Sequence, residues 1–202
     1  MIFDFTWENM EGEADKSSVE AVERWKQRIL KSQRFTSKIG WNGLFLENHD
    51  QSRCVNKYLE KDQIGYAGAS AMAVMYFYLY GTPFIYQGQE IGMTNAVWNS
   101  IEEMDDVRAK GMYQEALEQK QDPQKVLEYF GELGRDNART PMQWCDEKNA
   151  GFTEGTPWLK VNENYQGINV KAQEARDDSL LAFYRRLTAL RHQEPYASVF
   201  AE

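Results

Sequence analysis

Two short polar runs carry residue types that could do chemistry: Asn48-His49-Asp50, and Gln87 with Gln89 and Glu90. Each directly follows an apolar stretch, Gly43-Leu44-Phe45-Leu46 in the first case and Pro83-Phe84-Ile85-Tyr86 in the second. A carboxylate beside a neutral imidazole can bridge two adjacent sugar hydroxyls, because the acid accepts and the ring nitrogen donates. The same carboxylate would stabilise an oxocarbenium-like transition state electrostatically. A competing reading makes His49 and Asp50 a loop-capping pair, since charges of this kind also serve structure. The other acids read as structural. Strand alternation puts Glu47 on the face opposite Leu46 and Asn48, Glu90 fits a loop anchor, and Asp105-Asp106 and Asp177-Asp178 sit at helix starts as caps or solvated charges.

The elements that must position these groups alternate. Met1 to Trp7 is short, apolar and aromatic, and with the two stretches above it makes three expected strands. Ser17-Ser18-Val19-Glu20 has the form of a capping box, followed by Val22, Trp25 and Ile29 at helical spacing, which predicts a helix over 18–33. A second helix is expected over 63–80. Strands separated by helices argue for an α/β fold with parallel βαβ units, whose functional groups lie past the carboxyl ends of the strands. After the third strand the rhythm breaks. Helices are expected over 101–119 and 123–133, then a long aromatic loop over 134–175 of the kind that forms a functional loop or subdomain. A last helix over 178–192 carries Leu180, Phe183, Tyr184 and Leu187 on one stripe, with acids at its start and bases at its end.

Bulk composition narrows the partners. The 202 residues carry a formal net charge of −8, which gives no electrostatic reason to bind nucleic acid or an anionic membrane. Ile64 to Gly81 holds no charged residue, but its glycines and tyrosines fit a buried helix better than a membrane span. Cys54 and Cys145 are the only cysteines, too few for a disulfide framework or a zinc site, and they suggest reduced thiols in a cytoplasmic protein.

The run Phe45-Leu46-Glu47-Asn48-His49-Asp50-Gln51-Ser52-Arg53 resembles the last active-site motif of the α-amylase family, glycoside hydrolase family 13. The run from Gly81 through Gln87-Gly88-Gln89-Glu90 to Asn95 looks like that family's eighth strand and following loop. Arg135-Asp136-Asn137-Ala138-Arg139-Thr140-Pro141-Met142-Gln143-Trp144 is similar to its oligo-1,6-glucosidase and dextran-glucosidase branch. The resemblance implies roles. Asp50 would be the third catalytic carboxylate, stabilising the transition state, and His49 would contact the same glucose. Arg135 would help close the pocket around the non-reducing-end sugar, Arg139 could support that loop, and Gln51 and Arg53 would shape the leaving-group side. No cofactor and no metal are implied. Ser52 stands where the branch usually has Pro, and Gln89 where Glu is usual.

The resemblance also implies a partial (β/α)₈ barrel: the last three βα units of the catalytic domain, with a loop subdomain at about 96–176 after the last strand. The N-terminal barrel strands and the C-terminal β-sandwich are then absent from 1–202, and a complete barrel needs about 250 residues. A retaining glycosidase needs a nucleophile and an acid/base about 5 to 5.5 Å apart. In this family both come from the fourth and fifth strands, which have no counterpart here. The expectation is a fragment of a retaining α-glucosidase acting on α-1,6 bonds of isomalto-oligosaccharides, inactive alone. Its open sheet edges would self-associate or require the rest of the enzyme. Trehalose-6-phosphate hydrolase and sucrose isomerase are alternatives in the same branch. A reading of another class is a non-catalytic sugar-binding or interaction module, which measurable isomaltose binding by the chain alone would favour.

Overall fold

A computed structural model describes residues 1–5 and 18–197. Its centre is a small parallel sheet. β1 (Gly43–Leu44) pairs in parallel with β2 (Thr82–Pro83), Gly43 against Thr82 and Leu44 against Pro83. On the other side of β1, Ile2 makes a single parallel bridge to Asn42. The hydrogen bonds run in one direction across the three segments: Gly43 N donates to Ile2 O at 2.8 Å, Thr82 N to Asn42 O at 2.8 Å and Phe84 N to Leu44 O at 2.7 Å. The order and parallel sense match the sequence expectation, and the lengths do not. Each outer segment has only β1 beside it among the described residues, and the β1–β2 ladder comprises two residue pairs. Thr6 and Trp7 of the first expected strand, and Ser17 of the capping box, lie outside the described residues.

Helices pack around this sheet. α1 (Val19–Thr36) is capped by Ser18, whose side chain accepts from Ala21 N. That cap is one residue later than the box spacing predicts, which leaves Glu20 in the first turn facing the helix dipole. Trp25 of α1 stacks on Tyr58 of α2 (Cys54–Tyr58) with ring centroids 5.0 Å apart, whereas Val22 is exposed. α3 (Tyr66–Phe77) is shorter than expected and buries Met72, Ala73, Tyr76 and Phe77. No helix among the described residues is long and apolar enough to cross a membrane.

The expected helix over 101–119 is broken. A 3₁₀ turn at Ile101–Glu103 is followed by α4 (Val107–Glu118), because the amides of Asp105 and Asp106 donate to the Asp136 carboxylate, at 2.7 and 2.9 Å, in place of helical carbonyls. α5 (Pro123–Leu133) starts on an Asp122 cap with Pro at its first position. The segment expected as a long loop contains α6 (Asp136–Arg139), 3₁₀ turns at Lys148–Gly151 and Glu163–Gln166, and α7 (Val170–Glu174). α8 (Leu180–Arg191) buries Leu180, Tyr184 and Leu187. Its cap is Ser179, while Asp178 pairs with Arg176 at 3.0 Å. Arg191 binds the carbonyls of Phe77 and Gly81, fastening α8 to the turn before β2.

One apolar cluster joins β1, α1, α3 and α8, and a second lies under α4 and α5 around Trp98, Ile101, Leu127 and Phe130.

Candidate active site

The chain leaving β1 carries the site. Phe45 and Leu46 are buried, and the polar run that follows turns on Asn48, whose Oδ1 accepts from Asp50 N at 2.8 Å. This Asx turn aims two side chains outward. His49 and Asp50 are 71% and 56% exposed, with His49 Nε2 3.2 Å from Asp50 Oδ2. Both line a cavity of about 400 Å³ whose remaining wall is mostly aromatic, including Phe3, Phe45, Phe84 and Tyr86.

Two arginines from α6 and its leading residue converge on Asp50. Arg139 NH2 lies 2.8 Å from Asp50 Oδ1, and Arg139 Nε donates to the His49 carbonyl at 2.7 Å. Arg135 NH1 stands 3.7 Å from the same oxygen. The other edge of Arg135 is held by Asp106, with Nε to Oδ2 at 2.9 Å and NH2 to Oδ1 at 3.0 Å. Those hydrogen bonds hold Arg135 above the usual guanidinium range. Asp106 caps α4 through Arg108 N. The sequence reading saw that cap but not the pairing with Arg135, 29 residues away, which no local spacing reveals.

Arg53 does not reach the cavity. It is fully buried, and its guanidinium meets Glu47 at 3.0 Å, the Gln87 carbonyl at 2.7 Å and the Asn137 carbonyl at 3.2 Å. The expectation that it shapes the leaving-group side is corrected: Glu47, facing inward by strand alternation, needs a buried cation. Glu47 Oε1 accepts from Cys54 N at 2.9 Å. Arg53 therefore ties together the loop after β1, the loop after β2 and α6. Gln51 lines the cavity and accepts from Lys57 Nζ at 3.1 Å.

The run after β2 divides. Gln87 contributes its backbone to Arg53, and Glu90 Oε2 accepts from Gly88 N at 2.8 Å, a loop anchor whose carboxyl is pushed up by burial. Gln89 turns away from the cavity into the core, donating to Tyr76 and Tyr184 hydroxyls at 3.0 and 2.8 Å. Among the described residues, Asp50 is thus the one carboxylate on the cavity wall free of a buried ion pair. No group of three His, Cys, Asp or Glu side chains among them is gathered to hold a metal ion. The site can recognise vicinal hydroxyls, since the carboxylate accepts while the guanidinium forks beside it donate.

The family described as Alpha amylase, catalytic domain, matches the sequence over residues 1–199. The chain belongs to this alpha-amylase family. A relative within it is an oligo-1,6-glucosidase of Parageobacillus thermoglucosidasius, 42% identical over 96% of this chain and 35% of that protein. Another is a trehalose-6-phosphate hydrolase of Escherichia coli (strain K12), 42% identical over 77% of this chain and 28% of that one. Among solved alpha-amylase relatives, the trehalulose synthase MutB from Pseudomonas mesoacidophila MX-45 matches with a TM-score of 0.81 at 40% identity, covering 88% of this chain and 32% of its own. The chain spans about a third of the length of the curated relatives it matches.

Proposed function

We propose that these residues are the last three βα units of a (β/α)₈ catalytic barrel, with a loop subdomain at about 96–176, from a retaining α-glucosidase acting on α-1,6 bonds of short oligosaccharides. The observation that carries the reading is Asp50 on the cavity wall, hydrogen-bonded by Arg139, approached by Arg135 and adjacent to His49. In this role Asp50 accepts from the glucose hydroxyls and stabilises the oxocarbenium-like transition state. His49 contacts the same sugar. Arg135 and Arg139 border the non-reducing end, and Gln51 faces the leaving group. The nucleophile and acid/base would come from the preceding strands, so the chain alone is expected not to hydrolyse p-nitrophenyl α-glucoside. Free Cys54 and Cys145 support a cytoplasmic setting. Among the described residues the outer segments pair only toward β1, which supports an isolated chain that either self-associates or needs the rest of the enzyme.

Among the alternatives, a phosphosugar substrate calls for basic groups free to meet it. Of the three lysines in the long segment, Lys148, Lys160 and Lys171, none lines the cavity that holds Asp50, and Lys160 is engaged with Glu103 at 2.6 Å, which favours the uncharged oligosaccharide. The test is a chimera in which this chain replaces the matched segment of the Parageobacillus oligo-1,6-glucosidase. It should hydrolyse isomaltose, and Asp50→Asn should lower turnover by on the order of 10²–10³-fold. A folded chimera without isomaltose hydrolysis would sink the reading.

A further inference from the structure

α6 is a single turn, too short to hold an orientation by its own backbone bonds. Arg135 and Arg139 are four residues apart and share one face of it, and both reach Asp50 Oδ1. Asn137 lies midway between them and projects from the opposite face. It is fully buried and lines no part of the cavity that holds Asp50.

The side-chain amide of Asn137 is saturated. Its Oδ1 accepts from Ala96 N at 3.1 Å and from Trp98 Nε1 at 2.8 Å. Its Nδ2 donates to the carbonyls of Gly134 at 2.9 Å and Gly131 at 3.1 Å, with that of Phe130 at 3.4 Å. Groups that only donate face the oxygen and groups that only accept face the nitrogen, so the amide has one orientation. An aspartate of the same shape would turn a carboxylate oxygen toward those carbonyls, and a leucine would leave every one of these groups without a partner.

The other anchors of α6 lead elsewhere. Asp136 ties it to the amides of Asp105 and Asp106, and Arg53 ties its carbonyls to the loops after β1 and β2. The Asn137 amide adds the end of α5 and the 96–98 segment, so the turn is fastened to the apolar cluster that contains Trp98 and Phe130. A rotation of α6 about its axis by about 10° would carry each guanidinium by roughly 1 Å, because an arginine reaches well beyond the backbone cylinder. A side chain gripped at both its ends on the opposite face opposes that rotation.

We infer, on the reading of Asp50 given above, that Asn137 is a positioning residue: it holds Arg135 and Arg139 on Asp50 through the core under α4 and α5 and does not itself meet the sugar. The packing of that core thereby becomes part of the precision of the site, since a misplacement of about 1 Å costs up to about a hundredfold in rate.

The experiment has two readouts. In the full chain, the Nε proton of Arg139, bonded to the His49 carbonyl at 2.7 Å, is followed by isotope-labelled NMR, with Arg139→Lys identifying its signal. Asn137→Ala should speed the exchange of this proton with solvent by about tenfold or more, the equivalent of one charge-assisted hydrogen bond. Trp98→Phe keeps a ring in the cluster and removes the donor to Oδ1. It should speed exchange by about threefold, and it decides the matter if Asn137→Ala does not fold. In the isomaltose-hydrolysing chimera, at a temperature where the variant is fully folded, Asn137→Ala should lower kcat/KM by about ten- to a hundredfold. Arg139→Lys should then add little to that loss, because the two residues act as one unit. A residue that only stabilised the fold would leave the Arg139→Lys loss at full size. Additive losses overturn the inference, as does exchange unchanged in both variants. Faster exchange with an inactive parent chimera upholds the positioning role and overturns the α-glucosidase reading.

Discussion

Arg139 and Asp50, 89 residues apart in sequence, meet at 2.8 Å, and the same guanidinium holds the carbonyl of His49 at 2.7 Å. One planar fork thus fixes the backbone and the carboxylate of adjacent residues. Lysine cannot reproduce this, because it carries a single point charge on a flexible stem. In the isomaltose-hydrolysing chimera, Arg139→Lys should lower kcat/KM by roughly tenfold or more, the equivalent of one charge-assisted hydrogen bond. Unchanged kinetics would show that the fork is incidental.

The Arg53–Glu47 pair should behave as a buried ion pair. Arg53→Met leaves Glu47 charged among apolar neighbours and should cost about 3–5 kcal/mol in urea unfolding. The double variant Arg53→Met with Glu47→Gln should recover a good part of that loss. If the double variant proves as unstable as the single one, the carbonyls of Gln87 and Asn137 matter more than the charge of Glu47.

Asp106 does two jobs that substitutions can separate. Asparagine keeps the acceptor that caps α4, while alanine removes it, so Asp106→Ala should cost about 1 kcal/mol more than Asp106→Asn in thermal unfolding. Both release the Nε edge of Arg135. In the chimera both should raise KM for isomaltose several-fold with a smaller change in kcat. Equal KM values across the series would confine Asp106 to helix capping.

Glu90 predicts a pH effect of defined sign. Burial raises its carboxyl above the ordinary 4.5, so the folded chain binds that proton more tightly than the unfolded one. Its contribution to stability is fully present below that value and is lost as pH rises through the raised folded value. Glu90→Gln should therefore gain stability relative to the parent chain as pH rises above about 4.5. A difference between the two that is flat with pH, measured by chemical unfolding at several pH values, would rule this out.

Much of this was legible in the sequence for a physical reason. The order strand, helix, strand, helix, strand was read from apolar runs and turn residues, which are local signals. Asp50 and His49 stand out because they lie in the polar run that follows an apolar stretch. What was not legible depends on distant partners. The break before α4 comes from the Asp136 side chain, the burial of Arg53 from Glu47 and the carbonyls of Gln87 and Asn137, and the inward turn of Gln89 from Tyr76 and Tyr184. Spacing within any one segment contains none of these contacts. The strands are expected to be longer than they are because apolar runs register burial and not backbone pairing.

At Gln89 the resemblance drawn from the sequence leads to an expectation of glutamate, and the surroundings give the amide a meaning. The Tyr76 hydroxyl accepts from Gln89 and donates to the Phe84 carbonyl at 3.4 Å, so the proton order along this line runs from the amide toward the strand beneath the cavity. A carboxylate there would draw both tyrosine protons to itself and leave that strand carbonyl without its donor. The neutral amide adds no charge to the core behind the cavity, where the buried Arg53–Glu47 pair is already balanced.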